Sequence, residues 1–249
     1  NISQLNPKNW ETPIKLLTGG MVIFVAYEGF ELIANAVPDI ENPKRNVPRA
    51  YFISVGFVVL LYIAIATITV GSLNFDVIAK ANDYVLAEAT KPLIGQFGFS
   101  IMTGAALIST FSAINATVYG GSRVSYELAQ DDELPHEFTY QLWNKPVGLL
   151  ITVILTLLTA NFINLESIST SGSAGFLLIF STVNLVAFKK AGKITANKYI
   201  PLFGAILCFG AFIVLIIQQY SSNRKGVLIS LGIILTCYLI EWIYKRSKK

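Results

Sequence analysis

The run F-V-A-Y-E-G-F-E, Phe24 to Glu31, lies at the middle of a mostly apolar stretch from Pro13 to Val37. It places two carboxylates, Glu28 and Glu31, beside Gly29 near the centre of a predicted membrane span. The eleven Leu, Ile, Val and Phe residues of the stretch contribute about 3 to 7 kcal/mol to membrane insertion, and two central acids cost about 5 to 7 kcal/mol. Because the span is marginal alone, and because central acids flank a helix-weakening glycine, the sequence predicts a discontinuous helix of the kind found in transporters.

Composition places the chain among the helical membrane proteins. Of its 249 residues, 53% are hydrophobic and only 14% are charged, with a mean hydropathy of +0.58, whereas a soluble domain is nearer a quarter charged. Strand-like alternation is absent, so we do not expect an outer-membrane barrel. We predict an all-α polytopic membrane protein with one transmembrane domain over residues 1–249 and seven spans, at about 13–37, 48–72, 97–122, 146–164, 167–188, 199–219 and 226–244.

Basic residues are distributed unevenly between the two sets of predicted loops. Thirteen of the nineteen lysines and arginines fall in one set, which the positive-inside rule places in the cytoplasm. We therefore expect a multi-pass protein of the plasma membrane with the N-terminus of this chain outside and its C-terminus in the cytoplasm. No basic patch is interleaved with exposed aromatics, so nucleic-acid binding is not expected. The cytoplasmic set comprises Lys44, Arg45, Arg49, Arg123, Lys145, Lys189, Lys190, Lys193, Lys198, Lys245, Arg246, Lys248 and Lys249.

The start of the chain and its cysteines bear on its completeness and chemistry. The first residue is Asn1, and no signal-peptide pattern precedes the first span. An outside N-terminus without a signal leads us to expect that earlier spans are missing.

Cys208 and Cys237 lie inside spans and are spaced for neither a disulfide framework nor a metal site. No nucleophile–base, metal or phosphate-binding motif appears, so we expect no cofactor, no metal and no enzymatic activity.

Two later spans carry small and polar residues. In the third span, Ser109 and Ser112 lie on one helical face together with Tyr119. The fifth span opens with S-I-S-T-S-G-S-A-G, Ser167 to Gly175. From these residues alone two explanations stay open for each run. One is close helix packing, and the other is contact with an ion, a substrate or a hydrated pathway.

Three motifs follow one another along the chain: F-V-A-Y-E-G-F-E (Phe24–Glu31), I-E-N-P-K-R-N-V-P-R-A (Ile40–Ala50) and Y-G-G-S-R-V-S-Y-E-L-A-Q-D-D-E-L-P (Tyr119–Pro135). They resemble the sixth helix, the following loop and the end of the eighth helix of the amino acid–polyamine–organocation superfamily, in particular its prokaryotic amino-acid permeases. The resemblance covers the whole chain as helices six to twelve. It implies the second five-helix inverted repeat of a LeuT-like fold plus two extra C-terminal helices, with the first repeat missing.

The resemblance also implies a substrate site, because the sixth helix of that family is unwound at mid-membrane. The freed amide groups of such a segment, at a helix N-terminus, would face a substrate carboxylate or side chain. Glu28 is not a motif position, and it would bind a cationic substrate group or pair with a base on a missing helix. The equivalent segment comprises Val25, Ala26, Tyr27, Glu28 and Gly29.

Coupling and gating roles are implied for three further residues. Glu31 occupies the family's acidic position at the start of the second half-helix, where a negative charge complements the helix dipole, and a role in proton coupling or substrate sensing is a hypothesis. Ser109 and Ser112 match the region that completes a cation site in sodium-coupled relatives. The coupling ion, a proton or sodium, stays open because the partner helices are missing. Asp132 departs from the glycine usual in the family, which alters a cytoplasmic turn.

The implied function is secondary active transport of amino acids, or related amines, by alternating access, with this chain as the C-terminal portion of the permease. Its expected partners are the amino-acid substrate, membrane lipids and helices one to five of the same permease. The alternative is a seven-helix receptor or sensor that binds a small ligand without translocation. A receptor does not require acids and Gly29 at the centre of a span, so the transporter is favoured.

Overall fold

The computed structural model describes residues 2–81, 84–142, 145–193 and 197–247. Lys248 and Lys249, which were assigned to the cytoplasmic side, lie outside these ranges. The described residues are mostly helical. The α-helices are α1 (Pro13–Val22), α2 (Pro43–Ser72), α3 (Phe75–Ala81), α4 (Val85–Gln130), α5 (Val147–Phe162), α6 (Leu165–Lys189), α7 (Tyr199–Ser222) and α8 (Arg224–Ser247).

Short 3-10 segments and one minimal hairpin complete the secondary structure. In the hairpin, β1 (Gln141–Leu142) pairs antiparallel with β2 (Lys145–Pro146), and Gln141 lies opposite Pro146. A pair of two-residue strands of this kind adds little stability by itself. The 3-10 segments are Ile2–Leu5, Pro7–Asn9, Ile23–Tyr27, Phe30–Asp39, His136–Thr139 and Ala191–Lys193.

Most of the helices are suited to a lipid bilayer. The fourth predicted span, 146–164, coincides with α5, which has 16 residues and is therefore about 24 Å long, against a hydrocarbon core of about 30 Å. The prediction of an all-α polytopic membrane protein is confirmed. Six helical stretches within the described ranges are long and apolar enough to cross a membrane: Pro13–Ala34, Pro43–Ser72, Val85–Gln130, Leu165–Lys189, Tyr199–Ser222 and Arg224–Arg246.

The chain divides into two compact units. One contains Asn1–Thr12 and Gly29–Gly121, and the other contains Pro13–Glu28 and Ser122–Lys249. The second unit has a small apolar core between α6 and α7, against which α1 and the turn after it also pack. The buried members of this core are Ala174, Leu177, Phe212 and Leu215, and the packed residues of the first span are Met21, Val22 and Phe24.

In the first unit, α2 begins with a favourable residue and ends with side-chain hydrogen bonds. It begins at Pro43, earlier than the predicted position 48, because proline is favoured in a first helical turn where its missing N–H has no partner to lose. Pro48 follows inside the helix. At the other end, Gln4 Nε2 donates to the carbonyl oxygens of Val70 and Leu73, each at 2.7 Å. These bonds satisfy carbonyl groups that a helix end leaves without an intrahelical partner.

The long helix α4 is broken near its beginning. Gly95 has φ 64° and ψ −153°, which is not a helical conformation. Pro92, one turn earlier, lies inside the same helix and lacks the N–H that would bond to the preceding turn. The third predicted span, 97–122, lies wholly after this break. Ser109 and Ser112 are both exposed on that part of α4.

Candidate functional site at the break of the first span

The first candidate span, Pro13–Ala34, is not a continuous α-helix. Its α-helical part ends at Val22, and Ile23–Tyr27 continue as a tighter 3-10 turn. The N–H of Glu28 then donates to the carbonyl oxygen of Val25 at 3.1 Å and closes this turn. A 3-10 segment inside a longer helix marks a hinge or a strained sequence. In this chain the change from α-helix to 3-10 helix lies near the centre of the candidate span.

The chain leaves the helical conformation altogether at Glu28 and Gly29. Glu28 is extended, with φ −65° and ψ 160°, and Gly29 has φ 114° and ψ −25°. Positive φ values of this size are rare for residues with a Cβ atom, so the break depends on glycine. A second helical segment, Phe30–Asp39, begins directly afterwards in 3-10 geometry. The backbone is therefore interrupted at Glu28 and Gly29, whereas Val25, Ala26 and Tyr27, which were also expected to be unwound, remain in a 3-10 turn.

Glu31 caps this second helical segment. Its Oε2 accepts a hydrogen bond from the N–H of Gly29 at 2.7 Å. A carboxylate in the first turn lies at the positive end of the helix dipole, as the sequence predicted for Glu31. The amide of a predicted substrate-binding residue thus already has an anionic partner inside the protein.

Hydroxyl groups of α6 bond to the backbone at the end of α1. Ser173 Oγ lies 3.0 Å from the carbonyl oxygen of Val22 and 3.0 Å from the amide nitrogen of Val25. Ser169 Oγ donates to the same carbonyl oxygen of Val22 at 3.2 Å. Backbone groups next to a break in a membrane span gain from additional partners, because unsatisfied groups in lipid cost several kcal/mol. Side chains of α6 provide such partners at Val22 and Val25.

Gly172 permits the close approach that these bonds require. A Cβ atom added to Gly172 would lie 3.0 Å from Cγ2 of Val25, which is closer than side chains normally tolerate. Helix packing therefore accounts for the small residue at this position. Sequence reasoning left the run Ser167–Gly175 open between packing and pathway lining, and it missed the bonds of Ser169 and Ser173 to the break. The available signal was their spacing of four residues, which puts both hydroxyls on one helical face.

The remaining predicted site residues are placed as follows. Ala26 and Tyr27 lie within the 3-10 turn, and Glu28 has one carboxylate oxygen shielded from solvent. Ser109 and Ser112 lie close together on an exposed face of α4. Within the described ranges, no group of three or more His, Cys, Asp or Glu residues is arranged to hold a metal ion.

A second polar cluster joins α6 to the junction between α7 and α8. Asn223 Oδ1 accepts hydrogen bonds from Ser167 Oγ at 3.1 Å and from the N–H of Gly226 at 3.0 Å. Ser230 Oγ donates to the carbonyl oxygen of Gly226 at 2.7 Å and lies 3.1 Å from Ser171 Oγ. Asn223 thereby caps the first turn of α8. These bonds fix the start of α8 against α6.

An apolar groove of about 300 Å³ borders the same part of α6. Its lining includes Ile163, Ile168, Phe176 and Ile233, with Thr159 as one of its few polar residues. Among the residues that the structure describes, this lining has no charged side chain. An amino acid carries both an ammonium and a carboxylate group, so the groove lacks the partners that such a ligand needs. The break of the first span is the stronger candidate.

Comparison with known proteins supports a permease. A family model described as amino acid permease matches residues 2–240. An uncharacterized protein of Methanocaldococcus jannaschii is 38% identical over 238 residues, which cover 94% of this chain and 54% of that protein. The inner membrane transport protein YbaT of Escherichia coli is 29% identical over 228 residues, covering 91% and 53%. The methylthioribose transporter of Bacillus subtilis is 24% identical over 226 residues, covering 86% and 48%.

The family match spans nearly the whole chain, whereas the relatives extend well beyond it. The chain spans about half the length of the curated relatives it matches. The match includes the broken first span, the proline-containing loop and the end of α4, which are the three segments that carried the resemblance. With its apolar helices, this is a multi-pass membrane protein. The chain belongs to the amino acid permease family.

Proposed function

We propose that this chain forms the C-terminal part of a secondary transporter that carries amino acids, or related amines, across the plasma membrane by alternating access. The observation that carries the proposal is the break at Gly29, whose N–H is held by Glu31 at 2.7 Å. Two relatives are named as transport proteins, which supports transport as the activity. One of them is named for methylthioribose, so the substrate class has to be established by experiment.

In this proposal the substrate carboxylate binds at the start of the segment Phe30–Asp39. The N–H of Gly29 is the donor, and the N-terminal end of a helical segment carries partial positive charge. Among the described residues of its own unit, no atom beyond the chain neighbours lies within 4 Å of the position that a Cβ atom of Gly29 would take, so the local chain leaves the backbone amide accessible. Because Glu31 accepts a hydrogen bond from the same N–H, the substrate carboxylate takes the place of the Glu31 carboxylate at this donor.

This exchange gives Glu31 a coupling role. A substrate carboxylate and an ionised Glu31 repel each other when both lie next to the Gly29 amide. Proton binding to Glu31 removes that repulsion, so uptake of a proton accompanies binding of the substrate. In the sodium alternative, Ser109 and Ser112 contribute to a cation site instead. Glu28, with one shielded carboxylate oxygen, is the proposed partner of the substrate ammonium group.

The proposed transporter also contains the helices that the family places before these. The resemblance assigns the other half of the substrate cradle to the first of them, and the matched relatives are about twice as long as this chain. The predicted orientation, with Asn1 outside and the C-terminus in the cytoplasm, belongs to the same proposal. Transport is therefore tested on the protein expressed from its complete gene, together with any separate chain that supplies those helices.

Uptake into proteoliposomes tests the function. We expect saturable accumulation of a labelled amino acid, driven by either an imposed proton gradient or an imposed sodium gradient. Unlabelled amino acids should compete, and the corresponding amino-acid amides, which lack the carboxylate, should compete about ten-fold less well. A ten-fold loss corresponds to about 1.4 kcal/mol, which is close to the lower limit for one hydrogen bond to a charged group. Binding without uptake would favour the receptor, and no saturable binding of any amino acid would contradict the proposed site.

A further inference from the structure

Ser173 uses its hydroxyl group differently from the threonines Thr170 and Thr182 on the same helix. Thr170 and Thr182 donate to carbonyl oxygens of their own helix four residues earlier, at 2.8 and 2.9 Å, which is the common arrangement for a hydroxyl in a helix. Ser173 instead donates to the carbonyl oxygen of Val22 and accepts from the N–H of Val25. One side chain thus bonds to two backbone groups at the end of α1.

These two bonds join a buried side chain to a partly buried backbone. Ser173 is 0% exposed, whereas Val22 and Val25 are half-buried. The carbonyl oxygen of Val22 would keep its second donor, Ser169. The N–H of Val25 would lose the side-chain acceptor that Ser173 provides, and one such hydrogen bond contributes about 0.5 to 1.5 kcal/mol. The conformation at Val25 therefore depends on Ser173.

Packing around Ser173 reinforces this dependence. A Cβ atom added to Gly172 would lie 3.0 Å from Cγ2 of Val25, which is a tight contact, and Ser169 bonds to the same helix end one turn away on α6. Three positions on one face of α6, Ser169, Gly172 and Ser173, thus contact the segment from Val22 to Val25. A displacement of α6 along its axis would break these bonds together.

We propose that Ser173 is a positioning residue that holds the backbone from Val22 to Glu28 in the conformation from which the substrate site starts. Its effect on transport rests on the proposed function, whereas its effect on the backbone does not. Ser173 is not expected to touch the substrate, because both functions of its hydroxyl are already engaged with the backbone. It acts on the ligand through the amide and carbonyl groups of the break.

Ser181 provides a matched control on the same helix. It is 4% exposed, and its Oγ donates to the carbonyl oxygen of Ala205 on α7 at 3.1 Å. Ser181→Ala removes one buried hydroxyl and one inter-helix hydrogen bond from α6 but does not touch the break. Ser173→Cys nearly keeps the side-chain volume while weakening the hydrogen bonds, so it separates the effect of the hydroxyl from the effect of a cavity.

Hydrogen exchange and transport kinetics together test the inference on the protein from the complete gene, in lipid nanodiscs and in proteoliposomes. Ser173→Ala and Ser173→Cys should accelerate amide exchange in the peptide covering residues 22–28 about ten-fold, the factor that corresponds to loss of about 1.4 kcal/mol of local stability. They should also raise KM about ten-fold, with a smaller change in maximal rate. Ser181→Ala should change each quantity less than about two-fold.

Exchange in residues 22–28 decides the inference in every case. Equal exchange in Ser173→Ala, Ser181→Ala and the unaltered protein would overturn it, whatever the transport result. Faster exchange in the Ser173 variants alone would support it, even if the unaltered protein carried no amino acid. In that second case the proposed function would fail while the positioning of the break by α6 would stand.

Discussion

Replacing Gly29 by alanine is expected to destabilise the protein through the backbone alone. Gly29 has φ 114° and ψ −25°, and holding a residue with a Cβ atom in a sparsely populated conformation costs about 1 to 3 kcal/mol. No atom of the described residues beyond the chain neighbours lies within 4 Å of the added Cβ atom, so collision with them does not contribute to this cost. The change in unfolding free energy caused by Gly29→Ala therefore reports how unfavourable the backbone conformation at position 29 is for a residue with a Cβ atom.

Gly20 is the matched control for this substitution. It lies inside α1 in the same candidate span, and a Cβ atom added there also meets nothing within 4 Å. Alanine in the interior of a helix is favoured over glycine by about 0.5 to 1 kcal/mol. Both substitutions restrict the unfolded chain equally. That shared term cancels, so the unfolding free energies of the two variants should differ by about 1 to 3 kcal/mol, with Gly29→Ala the less stable.

The assay is equilibrium unfolding in mixed micelles, followed by helix content, with uptake measured in parallel. Gly29→Ala should be less stable than the unaltered protein and should lose affinity for the substrate, and Gly20→Ala should be slightly more stable with unchanged uptake. If Gly29→Ala were stabilising to the same degree as Gly20→Ala, position 29 would be regular helix in solution. The proposed substrate site would then have no physical basis.

Two further substitutions test Glu31 and the turn at Asp132. Glu31→Gln keeps an oxygen for the Gly29 N–H but cannot titrate as a carboxylate, so initial uptake rates should lose their dependence on pH. The control Glu41→Gln, in an exposed position, should keep that dependence. An unaltered pH profile in Glu31→Gln would remove the coupling role. Asp132 has φ 62°, so Asp132→Gly should be about 1 kcal/mol more stable than Asp132→Ala, measured by thermal unfolding. Both variants lose the contact of Asp132 with His136, which therefore cancels, and equal melting temperatures would show that the left-handed turn has no cost.

Several features were predictable because they depend on neighbouring residues. The apolar runs predicted the helical membrane class, since long apolar helices without strand alternation have few other structures available. The interruption at Glu28 and Gly29 was predictable because two acids and a glycine destabilise one short stretch of span. Asp132 stands where the family usually has glycine, and its backbone is left-handed, a conformation that favours glycine. In each case the local energy decides the local conformation.

Helix limits were less predictable than helix type. The second span begins at Pro43 rather than at 48, and α5 ends after 16 residues. Sequence patterns locate an apolar run well, but the first and last turns depend on caps and on contacts made elsewhere in the chain. The hydrogen bond from Gly29 to Glu31 was anticipated only as a charge near a helix dipole, because the side-chain rotamer selects the actual donor.

The sequence by itself determined the membrane class, the family resemblance and the position of the break, because all three follow from composition and from residues adjacent along the chain. Only the tertiary structure decided what stabilises the break. Ser173 and Val25 are 148 residues apart in sequence, and the face of α6 that meets α1 is selected by the packing of α1, α6 and α7 around a common core. A hydroxyl in a helix can bond to its own backbone or to another helix, and that choice is made only when the helices are packed.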